Sequence, residues 1–149
     1  MYTRIVVAVD GSDLADKALR HALTLAKEFG AKLFVVHSTD PMVLAAPAAG
    51  LIAMDTGVIL TEIEKANADM AKATLDEAKQ VAQASGQVIE TLHVPDSLPA
   101  DAILSTASRQ GADLIVMGSH GRRGLGRLLL GSQAAEVLAH SDIPVLVIK

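Results

Sequence analysis

Four places in this chain repeat one device: a helical stripe stops, a small or polar residue follows, and an apolar run begins almost at once. Phe29-Gly30-Ala31-Lys32 leads into Leu33-Phe34-Val35-Val36, and Ser85-Gly86 into Val88 and Ile89. Gln110-Gly111-Ala112-Asp113 leads into Leu114-Ile115-Val116, and His140-Ser141-Asp142 into Ile143-Pro144-Val145-Leu146-Val147-Ile148. In the first three, a glycine stands where a helix ends in the left-handed conformation, which costs other residues more. The apolar runs, together with Ile5-Val6-Val7-Ala8-Val9, are continuous rather than alternating. A continuous run is covered on both faces, as in a parallel sheet between helices.

The segments between the runs have helical periodicity. Ala15, Ala18, Leu19, Ala22, Leu25, Ala26 and Phe29 form one stripe, with Asp16, Lys17, Arg20 and Lys27 opposite. A longer helix, from about Ile59 to Ala84, is expected to pack through Ile63, Ala66, Met70 and Ala73. A third starts near Ser97 as N-cap with Pro99 in its first turn. A fourth follows Ser132 and carries Ala135, Val137 and Leu138. The expected fold is α/β: an open five-stranded parallel sheet with helices on both faces, one domain over residues 1–149. The mixed third strand, Gln87 to Val94 with Glu90 and His93 inside it, reads as an edge. Pro144 lacks a ladder donor and places the last strand at the other edge.

Composition narrows the classes of function. The 149 residues include no cysteine, which excludes a disulfide scaffold, Cys-ligated metal and a cysteine nucleophile. Thirteen basic against 17 acidic side chains give a formal charge of -4, the wrong balance for a general nucleic-acid binder. Tyr2, Phe29 and Phe34 are too few rings for a single-strand stacking platform. The longest uncharged apolar stretch, Met42 to Met54, is broken by Pro47 and Gly50 and falls short of the roughly 20 residues of a membrane span. With no targeting segment visible, the expectation is a cytoplasmic protein. The segment from Thr39 to about Val58 is too long for an ordinary strand-to-helix loop. It reads either as a loop folded onto the core or as a lid or partner surface.

Ligands of open α/β sheets bind beyond the carboxyl ends of the strands, where strand order reverses. The first strand ends at Asp10-Gly11-Ser12, an acid followed by a flexible turn. The fourth ends at Gly118-Ser119-His120-Gly121-Arg122-Arg123, and the stretch from Gly118 to Ser132 holds five of the eleven glycines. Glycines let backbone N–H groups approach an anion, and a helix start at Gly131 and Ser132 adds unpaired donors and a favourable dipole. The Ser132 hydroxyl is placed to cap that helix or to bind a phosphate oxygen. Asp10 reads as a ligand contact or as a cap of the first helix. Arg122, Arg123 and Arg127 read as phosphate partners or as a solvated basic face.

Known phosphate motifs fail here. Gly126 to Ser132 lacks the lysine of a P-loop, Leu129 stands where a dinucleotide fingerprint needs its third glycine, and no GxSxG elbow exists. The histidines at 21, 37, 93, 120 and 140 have no close metal-ligand spacing. No carboxylate pair or activated nucleophile can be assigned, so none of these motifs requires turnover.

One pattern does match. Gly118, two residues, Gly121, nine residues, Gly131 and Ser132 reproduce the nucleotide motif of the universal stress protein family. With the opening IVVAVDGS, the strand exit DLIVMGSHG and the closing IPVLVIK, the chain resembles that family over its whole length, in its ATP-binding class. The resemblance implies a Rossmann-like fold of the adenine nucleotide alpha hydrolase type, with strand order 3-2-1-4-5. Right-handed crossovers give the same order if Asp10 and Gly118 share a ligand. It also implies that Asp10 contacts adenosine, that backbone at Ser38 meets adenine, and that Gly118, Gly121, Gly131 and Ser132 surround ribose and phosphates. Gly11, Ser119, His120 and Arg122 complete the candidate set. Gln133 departs from the small apolar residue common there, and either contacts a terminal phosphate or covers the helix. ATP with Mg²⁺ on its phosphates is the implied cofactor, in a stress-response module with at most slow hydrolysis. The implied assembly is a homodimer through residues 143–148. The rival readings are an adenine-nucleotide hydrolase and a partner-binding module that uses residues 42–54.

Overall fold

Alternate residues of each apolar strand face opposite layers, and the computed structural model, which describes residues 1–41, 56–121 and 130–149, shows what covers them. The chain runs β1 (Arg4–Ala8), α1 (Asp13–Phe29), β2 (Lys32–Ser38), α2 (Thr56–Ala84), β3 (Glu90–Val94), α3 (Pro99–Gln110), β4 (Leu114–Gly118), α4 (Ser132–His140) and β5 (Val145–Ile148). Every strand pairing is parallel, in the order β3-β2-β1-β4-β5. Ile5 and Val7 of β1, with Val35 and Val116, pack against α1 and α2. Val6, Phe34, Val36 and Ile115 pack on the other face against α3 and α4. Both faces are therefore covered, as the continuous runs require, and the weakly buried β3 lies at an edge. Gly30, Gly86 and Gly111 have φ of 65°, 69° and 59°, the left-handed stops expected of them.

Local details correct several expectations. In α2 the buried face is Ala71, Leu75, Ala78 and Ala82, not Ile63, Ala66, Met70 and Ala73. Both sets have helical spacing, and the buried one lies in the second half of the helix, where Leu75, Ala78 and Ala82 join the core cluster. In the half before Ala71, the large residues Val58, Ile59 and Met70 are about half exposed. In α4 the core contacts are Ala134 and Val137, while Ala135 and Leu138 are exposed. The third strand is shorter than expected, starting at Glu90. Leu98, not Ser97, is the N-cap residue of α3, with Pro99 first in the helix. The 42–54 segment, Arg122, Arg123 and Arg127 lie outside the described residues.

At the opposite end of the sheet from the strand exits, Asp113 ties β4 to β1. Its carboxylate accepts from the Thr3 N–H at 2.8 Å, the Thr3 hydroxyl at 2.7 Å and the Arg4 N–H at 3.0 Å. Desolvation pushes this carboxyl up, but the Arg4 and Thr3 donors outweigh it and hold it below the usual carboxylate value. A carboxyl depressed on folding stabilises the protein above its unfolded value near pH 4, and loses that contribution as pH falls through the folded one. Asp113→Ala is expected to cost about 1 kcal/mol at pH 7. The cost should shrink markedly in urea melts at pH 2–3; equal destabilisation at both pH values would contradict this role.

Candidate functional site

β1 and β4 are neighbours whose outgoing connections diverge, β1 towards α1 and β2, β4 towards α4 and β5. Such a divergence opens a crevice beyond the carboxyl ends of the two strands. A cleft of about 900 Å³ lies there. Its lining includes Asp10, Ser38, Gly118, His120 and Gly121, and also Gly131, Ser132 and Gln133 from the start of α4. Gly11 and Ser119 do not line it. Gly11 borders a separate cavity of about 230 Å³ between α1 and α2.

At the β1 exit, Asp10 Oδ1 accepts the Ser12 N–H at 3.0 Å, closing a turn through Gly11 at φ 79°. An L side chain at that φ is strained, so glycine is needed there. Ser12 is the N-cap of α1, and its hydroxyl accepts the Ala15 N–H at 3.2 Å. The cap is thus Ser12, and Asp10 shapes the turn that precedes it.

The motif glycines serve a different need. None of Gly118, Gly121 and Gly131 has a positive φ. They supply space instead. A Cβ on Gly121 would lie 2.7 Å from Asp10 Oδ2. One on Gly131 would lie 3.0 Å from the Ser119 carbonyl oxygen and 3.1 Å from His120 Cα, and one on Gly118 would lie 3.1 Å from Leu14 Cγ. The Gly131 N–H donates to the Ser119 carbonyl at 2.8 Å, which holds the mouth of α4 against the β4 exit.

That bond corrects one expectation, because the Gly131 N–H is committed to the chain itself. Gly131 is the N-cap, and its carbonyl accepts the Ala135 N–H at 2.9 Å. The N–H groups of Ser132, Gln133 and Ala134 are the donors a helix start leaves without intrahelical partners. Gly131 has no side chain to cap this helix start, and among the described residues no hydrogen bond of the Ser132 hydroxyl caps it. The charged carboxylates among the described lining residues are Asp10 and Asp40. Among the described lining residues, attraction for an anion comes from main-chain donors and the α4 dipole.

Gln133 has a structural duty. Its Oε1 accepts the Ala100 N–H at 2.9 Å, so α4 caps the start of α3, where Leu98 offers no side-chain acceptor. Ser119 is buried, at 4% exposure, and its hydroxyl meets His120 Nδ1 at 3.0 Å. It positions His120, which lines the cleft. Sequence reasoning did not single out other lining residues: His37, Asp40, Met70 and Leu98. Position after the β2 exit was the available signal for Asp40; Met70 had been assigned to the core. His37 Nδ1 lies 2.8 Å from the Val9 carbonyl, and its ring stacks at 6.4 Å on His93, which pairs with the Thr39 hydroxyl at 3.0 Å. Burial, and then the neighbouring His37, hold His93 below the ordinary histidine value.

An open parallel sheet in this order, with a glycine-crowded cleft at its switch point, defines a doubly wound α/β protein, a class whose ligands bind at the strand exits. Residues 1–149 match the model of the universal stress protein family, and the chain belongs to that family. It is 37% identical over 149 residues to universal stress protein MJ0531 of Methanocaldococcus jannaschii, covering 100% of this chain and 83% of that one. It is 35% identical over 150 residues to universal stress protein YxiE of Bacillus subtilis, covering 100% of both. Among solved structures, universal stress protein UspA from Lactobacillus plantarum matches with a TM-score of 0.83 at 29% identity, over 99% of this chain and 98% of that one. A universal stress protein in complex with cAMP matches at 0.71 and 33% identity, over 99% and 97%. The Archaeoglobus fulgidus protein in complex with dAMP matches at 0.65 and 30%, over 99% and 98%.

Proposed function

We propose that this chain is an ATP-binding universal stress protein, a nucleotide-responsive stress-response module formed by one domain over residues 1–149. The observation that carries the reading is the tight apposition of Gly121 to Asp10 and of Gly131 to Ser119 and His120, which brings the mouth of α4 and the β1 exit into one cleft. Two relatives of the same fold are described in complex with adenine nucleotides, cAMP and dAMP. In this reading Asp10 contacts adenosine, the backbone at Ser38 meets adenine, and Gly118, Gly121 and the first turn of α4 receive ribose and phosphates. A cleft of about 900 Å³ falls within the usual range for small-molecule sites.

Among the described residues no group of three or more His, Asp or Glu is arranged to hold a metal ion. Mg²⁺ would therefore arrive on the phosphate oxygens, which suits its habit of keeping several waters. The reading needs binding, not turnover. Calorimetry on nucleotide-free protein is expected to show one saturable ATP site per chain, and no binding at millimolar ATP would overturn it. The reading is of a cytoplasmic protein; no helix among the described residues is long and apolar enough to cross a membrane.

The assembly proposed with it is a homodimer through β5. Leu146 is 36% exposed on this edge strand, and an uncovered apolar edge invites pairing. Light scattering at tens of micromolar should give twice the 15.5 kDa chain mass. A monomer would contradict that assembly.

A further inference from the structure

Resting on the reading of the cleft as an adenine-nucleotide site, we propose that His37 selects a 6-aminopurine over a 6-oxopurine. His37 is the penultimate residue of β2, beside Ser38, and is only 9% exposed. Its Nδ1 lies 2.8 Å from the Val9 carbonyl oxygen, which can only accept, so Nδ1 carries the hydrogen. In the neutral ring Nε2 is then a lone-pair acceptor. Thr106 Oγ1 is the buried side-chain polar atom left without a partner among the described residues, so Nε2 is not sealed in the core. The cavity that His37 lines is the cleft.

The other two histidines of this region are committed differently, His93 to Thr39 and His120 to Ser119. His37 therefore brings to the cleft an oriented acceptor with no bond from a described protein group. Its place fits a base rather than a phosphate. β2 lies on the far side of β1 from β4, whereas Gly121 and the mouth of α4 belong to the β4 side. Apolar Val36, Met70 and Leu98 also line the cleft and suit the faces of a planar ring. The exocyclic amine of adenine donates to a lone pair at Nε2. The 6-oxo group of hypoxanthine sets a second lone pair against it, leaving two acceptors desolvated and unpaired.

The test uses the full chain and equilibrium dialysis with ATP, ITP and dATP. The unmodified protein is expected to bind ATP about tenfold to a hundredfold tighter than ITP. It should bind dATP about as tightly as ATP. In His37→Leu, ATP affinity should fall towards that for ITP, reducing the preference to about twofold or less. Nitrogen NMR of the unmodified protein gives a readout that does not depend on a variant folding. The His37 Nε2 resonance should shift on saturation with ATP and not with ITP. Equal ATP and ITP binding would overturn this inference and leave the nucleotide reading standing. So would a folded His37→Leu that keeps the full preference, or a preference for ATP over dATP lost in that variant. Binding of no nucleotide at all would overturn both.

Discussion

Gly131→Val is expected to weaken ATP binding at least about a hundredfold while leaving the sheet folded. The reason is geometric. Gly131 has an ordinary extended backbone, φ -64° and ψ 153°, so valine meets no conformational penalty there. What it meets is the Ser119 carbonyl oxygen at 3.0 Å and His120 at 3.1 Å, both main-chain neighbours that cannot swing aside. The start of α4 must then move away from the β4 exit, breaking the 2.8 Å bond between Gly131 and Ser119. The N–H groups of residues 132–134 move with it. Charge-assisted hydrogen bonds contribute about 1.5–3 kcal/mol each, so losing two accounts for a hundredfold. Calorimetry checks the affinity and circular dichroism the fold. A folded variant with unchanged affinity would remove the α4 mouth from the binding site.

The second large effect concerns Asp10, which touches both halves of the cleft. One carboxylate oxygen closes the turn into α1 by accepting the Ser12 N–H, and the other lies 2.7 Å from where a Cβ on Gly121 would be. Two substitutions separate these duties. Asp10→Asn keeps a carbonyl for the turn and removes the charge; it should lower ATP affinity about tenfold to a hundredfold with little change in melting temperature. Asp10→Ala should lose the same affinity and also about 1 kcal/mol of stability, because the turn loses its acceptor. Thermal melts with and without saturating ATP distinguish the two. If Asp10→Asn binds ATP like the unmodified chain, Asp10 serves the turn alone.

The pattern of these residues shows what a sequence makes legible. Helix stops at Gly30, Gly86 and Gly111 are local events, and continuous strands such as Ile5 to Val9 report cover on both faces. Alternation of strand and helix, and the edge positions of β3 and β5, follow from such short-range signals. The cleft was legible for a similar reason, since strand exits carry the ligand in this class of fold and the glycines crowd at one of them. Side-chain assignments failed where a distant partner decides. Ser97 has the chemistry of a cap, yet the Ala100 N–H is capped by Gln133, 33 residues away. In α2 two stripes have equal periodicity, and only contact with the sheet selects Ala71, Leu75, Ala78 and Ala82. His37 was not singled out because its bond to the Val9 carbonyl joins the end region of β2 to the residue after β1. Spacing alone carries no sign of that.

The central claim is that the strand exits of β1 and β4 and the mouth of α4 form one nucleotide site. Amide NMR of the full chain during an ATP titration tests it most directly. Saturable shifts are predicted at Asp10, Ser38, Gly118, Gly121 and residues 131–133, with Asp113 at the other end of the sheet unmoved. Shifts confined to residues away from this cleft, or none at millimolar ATP, would contradict it.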